Sequence, residues 1–172
     1  MINSMLYYGA LLLLLILISI ADIKTYRIPD RYIIIGSIWA IVFNVIGRGI
    51  GIIEGLYGAI VGAAVILAIS YFSLWIFKKP GMGGGDVKLM AMTGLFIGWR
   101  LTLLSILLAI YIAGLTSIIL LIVKKIDRDD YLPFGPYLAI GIVLSILLGE
   151  NIIDWYIDIF SKIIHVYMVK YV

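Results

Sequence analysis

Residues 5–21 read MLYYGALLLLLILISIA, and the residue that follows is Asp22. A helix needs about 20 mostly apolar residues, within a range of roughly 17–25, to cross the hydrocarbon core of a bilayer. This run meets the requirement without a charge, so it predicts a membrane-spanning helix that ends on an ionisable group. Lys24 and Arg27 come after the run, whereas a cleaved signal peptide carries its positive charge before it. Ser19-Ile20-Ala21 is therefore not read as a processing site, and the segment is expected to be retained.

The rest of the chain has the same character. Of its 172 residues, 64% are hydrophobic and 13% charged, and the mean hydropathy is +1.17. A soluble domain averages about 45–50% apolar and about 25% charged residues, so lipid must be the solvent for most of this surface. Further apolar runs cover Tyr32–Ile46, Ile52–Phe77, Leu89–Trp99, Leu101–Val123 and Phe134–Leu148. The expectation is an all-α, polytopic membrane protein with about six transmembrane helices in residues 1–150. The fourth run is too short to span alone, which suggests a helix that ends inside the membrane profile, surrounded by protein.

Residues 151–172 differ. Ile152, Tyr156, Ile159, Phe160, Ile163 and Tyr167 recur at three- and four-residue steps, with Asp154, Asp158, Lys162 and His165 off that stripe. The pattern suits an amphipathic helix lying in the membrane interface, and an ordinary packed terminal helix would show it too.

Basic residues set the orientation. The first, third and fifth connections carry Lys24, Arg27 and Arg31, then Lys78, Lys79 and Lys88, then Lys124, Lys125 and Arg128. The opposite connections carry only Arg48 and Arg100. Positive loops stay in the cytosol, so a multi-pass protein of the inner (cytoplasmic) membrane is expected, with both termini outside. The net charge of +3 is read as this orientation signal and not as a nucleic-acid footprint.

Composition also excludes chemistry. The chain has no cysteine and one histidine, His165. Thiol catalysis, thiolate metal sites and a Ser/His triad cannot be assembled, and no metal or cofactor is expected. Catalysis would fall to carboxylates, lysines and backbone groups.

Most of the ten acidic residues sit in loops or on the terminal helix. Asp22 and Asp86 do not, and an ionisable group at membrane depth is a functional candidate. The orientation puts both on the cytosolic side. If they converge, like charges cannot both ionise easily and the pair shares a proton. One carboxylate can then take a proton from water while the other donates to a scissile carbonyl. The residues alone leave a structural reading open: Asp22 as the end of a helix beside Lys24 and Arg27, and Asp86 as a helix N-cap.

Gly81-Met82-Gly83-Gly84-Gly85 precedes Asp86. Glycines permit positive φ and close backbone approach, which would leave room for an extended peptide; a flexible linker is the other reading. Lys88 could act on the charge of Asp86, pair with a loop carboxylate, or reach to the interface, and its spacing favours the last.

These motifs resemble the type IV prepilin peptidases. Gly83-Gly84-Gly85-Asp86-Val87-Lys88 matches that family's GxGDxK signature, and Asp22 followed by Ile28-Pro29-Asp30 resembles its first catalytic motif. Residues Pro133 to Gly141, including Gly135 and Pro136, look like its proline- and glycine-rich C-terminal stretch. The resemblance covers roughly residues 5–150. It implies a membrane aspartyl endopeptidase that removes the basic leader from prepilins or pseudopilins after a glycine, on the cytosolic face. Asp22 and Asp86 fall on the catalytic pair, and Gly83, Gly85, Lys88, Pro29, Asp30, Pro133, Gly135 and Pro136 on supporting or substrate-binding positions.

Two departures stand out. Asp30 replaces a common Asn. The N-terminal region with paired cysteines, which goes with methylation in bifunctional members, has no counterpart here, so the short, peptidase-only form is expected. An archaeal-type preflagellin peptidase shares the GxGD motif. From another class, a small transporter could carry intramembrane aspartates, but its sites would lie near the midplane.

Overall fold

The computed structural model describes residues 2–78, 81–125, 127 and 132–171. Lys79, Arg128, Asp129 and Asp130 lie outside the described residues. Among the described residues five helices follow one another: α1 Ile2–Thr25, α2 Asp30–Val45, α3 Ile52–Phe77, α4 Gly84–Ile122 and α5 Gly135–Tyr171. No strand occurs among the described residues.

The helix count differs from six. Among the described residues four helices (α1, α3, α4 and α5) are long and apolar enough to cross a membrane, while α2 has only 16 residues. The difference arises in α4, which holds the fourth and fifth expected runs. Its continuity is broken at Gly98, whose φ of 72° and ψ of 174° are non-helical. Positive φ costs glycine nothing, so the chain can turn there. Gly62 of α3 lies against both Met90 and Thr102, so the arms 84–97 and 99–122 fold back along the same stretch of α3.

The arm 84–97 is the centre of the bundle. Leu89, Met90, Met92, Thr93 and Phe96 are fully enclosed, so from Leu89 onward this short segment is surrounded by protein. Tyr7 of α1 packs its ring against Phe96, Gly36 of α2 meets Met92, and Gly58 of α3 lies backbone to backbone with Gly94. Lipid gives apolar side chains no reason to prefer each other, so close packing over small residues must hold such helices together. Gly58 and Gly62, one turn apart on α3, supply it. On the other side Gly141 of α5 seats against Ser105 and Ala109 of the arm 99–122. The bundle's outer faces stay apolar and exposed, among them Ile16, Tyr71, Leu107 and Ile122.

The break at Gly98 interrupts the helical hydrogen-bond ladder, and side chains cover the exposed carbonyls. Leu95 O accepts Asn44 Nδ2 at 2.8 Å and lies 3.1 Å from the Tyr7 hydroxyl, which is also 3.1 Å from Asn44 Oδ1. The Thr102 hydroxyl donates to Gly98 O at 2.6 Å. Helix α5 returns to this end of the molecule, where Glu150 shares a depression with Tyr8, Ile97 and Trp99, and continues as helix beyond it.

Candidate active site

Asp22 belongs to a buried stripe of α1. Tyr7, Leu11, Leu15, Ile18 and Asp22 succeed one another at three- or four-residue steps, which is one face of a helix. The Asp22 side of α1 therefore faces the bundle, and only 6% of this residue is exposed. Its Oδ2 accepts the backbone N–H of Gly135 at 2.8 Å. A Cβ at position 135 would lie 2.8 Å from that oxygen and 3.2 Å from Asp22 Cγ. Glycine is what lets the first residue of α5 come this close.

Asp86 stands in the first turn of α4, where a carboxylate satisfies free N–H groups and meets the positive end of the helix dipole. Its Oδ2 accepts the N–H of Gly83 at 2.9 Å, and only 7% of it is exposed. Both aspartates thus serve a helix N-terminus: Asp86 that of its own helix, Asp22 that of α5. Part of the structural reading is met, and it accounts for one oxygen of each carboxylate.

The two side chains line one open cavity of about 690 Å³. Its walls come from the connections α1–α2, α3–α4 and α4–α5 with the adjoining helix ends, and Arg27 and Lys88 are among the lining residues. Two buried carboxylates thus line the same cavity, and any closer approach between them would favour a shared proton.

The supporting residues fall as follows. Pro29 caps α2 with φ −69° and ψ 124°, and Asp30 begins that helix. Ile28 packs on Gly85, where a Cβ would meet it at 3.1 Å, so the loop after Asp22 is pressed against the start of α4. Lys88 Nζ pairs with Asp30 Oδ1 at 2.7 Å, with both side chains more than half exposed. Lys88 thus pairs with a loop carboxylate instead of reaching alone to the interface. Pro133 and Phe134 form the third wall. Pro136 faces away from the cavity, onto an apolar groove between α1 and α5.

The glycine run works by space and not by torsion. None of Gly81, Gly83, Gly84 and Gly85 has positive φ, contrary to one expectation. A Cβ on Gly84 would meet nothing within 4 Å, so this side of the cavity is unobstructed.

Several lining residues escaped the sequence reading. Thr25, Tyr26 and Met82 face the cavity. Tyr26 takes φ 52° at the end of α1, a left-handed cap for which a tyrosine gives no signal. At the far end Asn44 carries a sequence signal of its own, as the sole amide in the apolar run 32–46.

Residues 9–122 match the model of the Type IV leader peptidase family, well over half of the chain. The chain belongs to the type IV leader peptidase family. Relatives of this family member carry the name prepilin leader peptidase/N-methyltransferase. That of Stutzerimonas stutzeri is 33% identical over 87% of this chain and 53% of its own length. The Pseudomonas aeruginosa protein is 32% identical over 87% and 53%, and the Pectobacterium carotovorum protein 33% over 85% and 53%. The chain thus spans about half the length of the relatives it matches. No solved structure matches it. The stretch matched to the leader peptidase family contains Asp22, Asp30, Asp86 and Lys88, and ends before Pro133.

Proposed function

We propose that this protein is an aspartyl endopeptidase of the inner membrane that removes the basic leader from prepilins or pseudopilins. Cleavage follows a glycine, on the cytosolic face, ahead of the substrate's apolar helix. The observation that carries the reading is the meeting of Asp22 and Asp86 in one cavity, each buried and each with one oxygen held by a backbone N–H. These bonds fix the carboxylates in position, as a catalytic pair requires.

One aspartate takes a proton from water, whose oxygen attacks the scissile carbonyl carbon. The other donates its proton to the carbonyl oxygen. Collapse of the resulting gem-diol breaks the C–N bond, and the departing amine takes up a proton. No covalent enzyme intermediate forms. Gly83 and Gly84 leave space for an extended strand, which is needed because a helical substrate hides its amide bonds. Pro29 and Pro133 shape the loops on either side. Acidic Asp30 at the cavity wall favours a basic leader, and its pairing with Lys88 tempers that attraction.

A transporter would hold its ionisable groups near the middle of the spans. Asp22 is in the last turns of α1 and Asp86 in the first turn of α4, which supports the protease reading over that one.

The test is co-expression with a prepilin from the same genome, followed by mass spectrometry of the pilin N-terminus. The expected product starts directly after a glycine, with the leader removed. A pilin that keeps its full leader in the presence of folded, membrane-inserted enzyme contradicts the proposal.

A further inference from the structure

Beside the cavity a second depression of about 490 Å³ lies between α1 and α5. It begins at Ile23 and Pro136, the sequence neighbours of Asp22 and Gly135, and runs up α1 to Leu12. Eleven helical steps from Leu12 to Ile23 are about 16 Å, roughly half the hydrocarbon thickness of about 30 Å. Ser19 is its one polar side chain. Ile16, Ile20, Ile23 and Ile140 present exposed apolar surface to it. Between them Ser19 and Ala139 are small, so a neighbouring helix could approach closely there.

The groove thus ends at the direct sequence neighbours of Asp22 and Gly135 and is open to lipid along its length. A polypeptide that reaches Asp22 by this route lies in hydrocarbon, where its backbone N–H and C=O groups must bond within the segment. Only a helix does that, and its surface must be apolar to match these walls. At the cavity the wall changes to loop backbone and carboxylates, where an unwound peptide can be satisfied.

We propose that the α1–α5 groove holds an apolar helix of the substrate lying directly next to the scissile bond, so that the enzyme selects membrane-embedded substrates by their helix as well as by the sequence at the cut. This rests on the protease reading of Asp22 and Asp86.

The absence of cysteine from the chain makes the test direct. Single cysteines at Ile16, Ile20 and Ile140 are introduced into Asp86→Asn enzyme in proteoliposomes. Oxidative cross-linking is then read against a prepilin with one cysteine in its apolar helix. Ile60→Cys serves as the control, since Ile60 is exposed on α3, which packs against neither α1 nor α5 among the described residues. Cross-links at 16, 20 and 140, at least tenfold stronger than at 60, are expected. In cleavage-competent enzyme Ala139→Trp should raise KM for full-length prepilin at least tenfold more than KM for a short leader peptide that lacks the helix. Wild-type cleavage combined with equal cross-linking at 16, 20 and 60, or with equal KM effects on the two substrates, overturns the groove and leaves the protease reading in place. No cleavage of either substrate by wild-type enzyme overturns both.

Discussion

The bundle has a buried polar cluster at each end, and the two are built on opposite plans. At one end Tyr7, Asn44 and the Leu95 carbonyl satisfy one another inside the packing. At the other Asp22 and Asp86 each accept one backbone N–H among the described residues and turn toward an open cavity. The first cluster covers carbonyls beside the break at Gly98, and its chemistry is spent. The second keeps acceptor capacity unspent at a place where burial makes that costly. A polar group in a membrane protein is thus better judged by what it leaves unused than by its depth alone.

The sharpest way to break this contrast is to neutralise the open end. Asp22→Asn and Asp86→Asn keep an oxygen that can accept the Gly135 or Gly83 N–H, so each cap survives while proton transfer is lost. Turnover is expected to fall by about 10²–10⁴-fold, the usual contribution of general acid–base catalysis, as measured by single-turnover cleavage of a prepilin. Next in size is Gly135→Ala. Its methyl would press on the Asp22 carboxylate, and a displacement of about 1 Å near the chemistry is worth about 10²-fold. Cleavage should drop while the enzyme remains in the membrane fraction.

The closed end should respond in the other currency. Asn44→Ala removes a buried donor to Leu95 O and a partner of Tyr7, at a cost of about 1–3 kcal/mol. Thermal unfolding in detergent should show the loss, with kcat unchanged at temperatures where the variant stays folded. The smallest effect belongs to the Asp30–Lys88 pair, an exposed ion pair worth about 0–1 kcal/mol. Asp30→Asn should leave stability within that range. It should raise KM for a lysine-rich leader modestly, and less so at high salt.

Much of this contrast was legible in the chain. The apolar runs gave the helices, with Ile52–Phe77 coinciding with α3, because a span has a minimum length and loops carry the basic residues. Asp22 and Asp86 stood out since charge at membrane depth is rare. Four things were hidden. The run 5–21 is apolar all round, so nothing marked which face of α1 carries Tyr7, Leu11, Ile18 and Asp22 inward. The start of α4 at Gly84 was concealed by glycines, which disfavour helix until the capping by Asp86 and burial against Ile28 override them. The role of Gly58 and Gly62 depends on a partner, Gly94, that is distant in sequence, although their four-residue spacing was a usable signal. The meeting of Asp22 with Gly135 is likewise a tertiary fact, and only the family resemblance hinted at it.

The most direct test of the central claim sets turnover against stability in the same four proteins: wild type, Asp22→Asn, Asp86→Asn and Asn44→Ala. Each is purified in one detergent and assayed for prepilin cleavage and for Tm. A crossed result is expected, in which the two aspartate variants lose cleavage while their Tm stays near that of wild type. Asn44→Ala should lose several degrees and keep its kcat. Aspartate variants that cleave at the wild-type rate would leave Asp22 and Asp86 as helix caps alone.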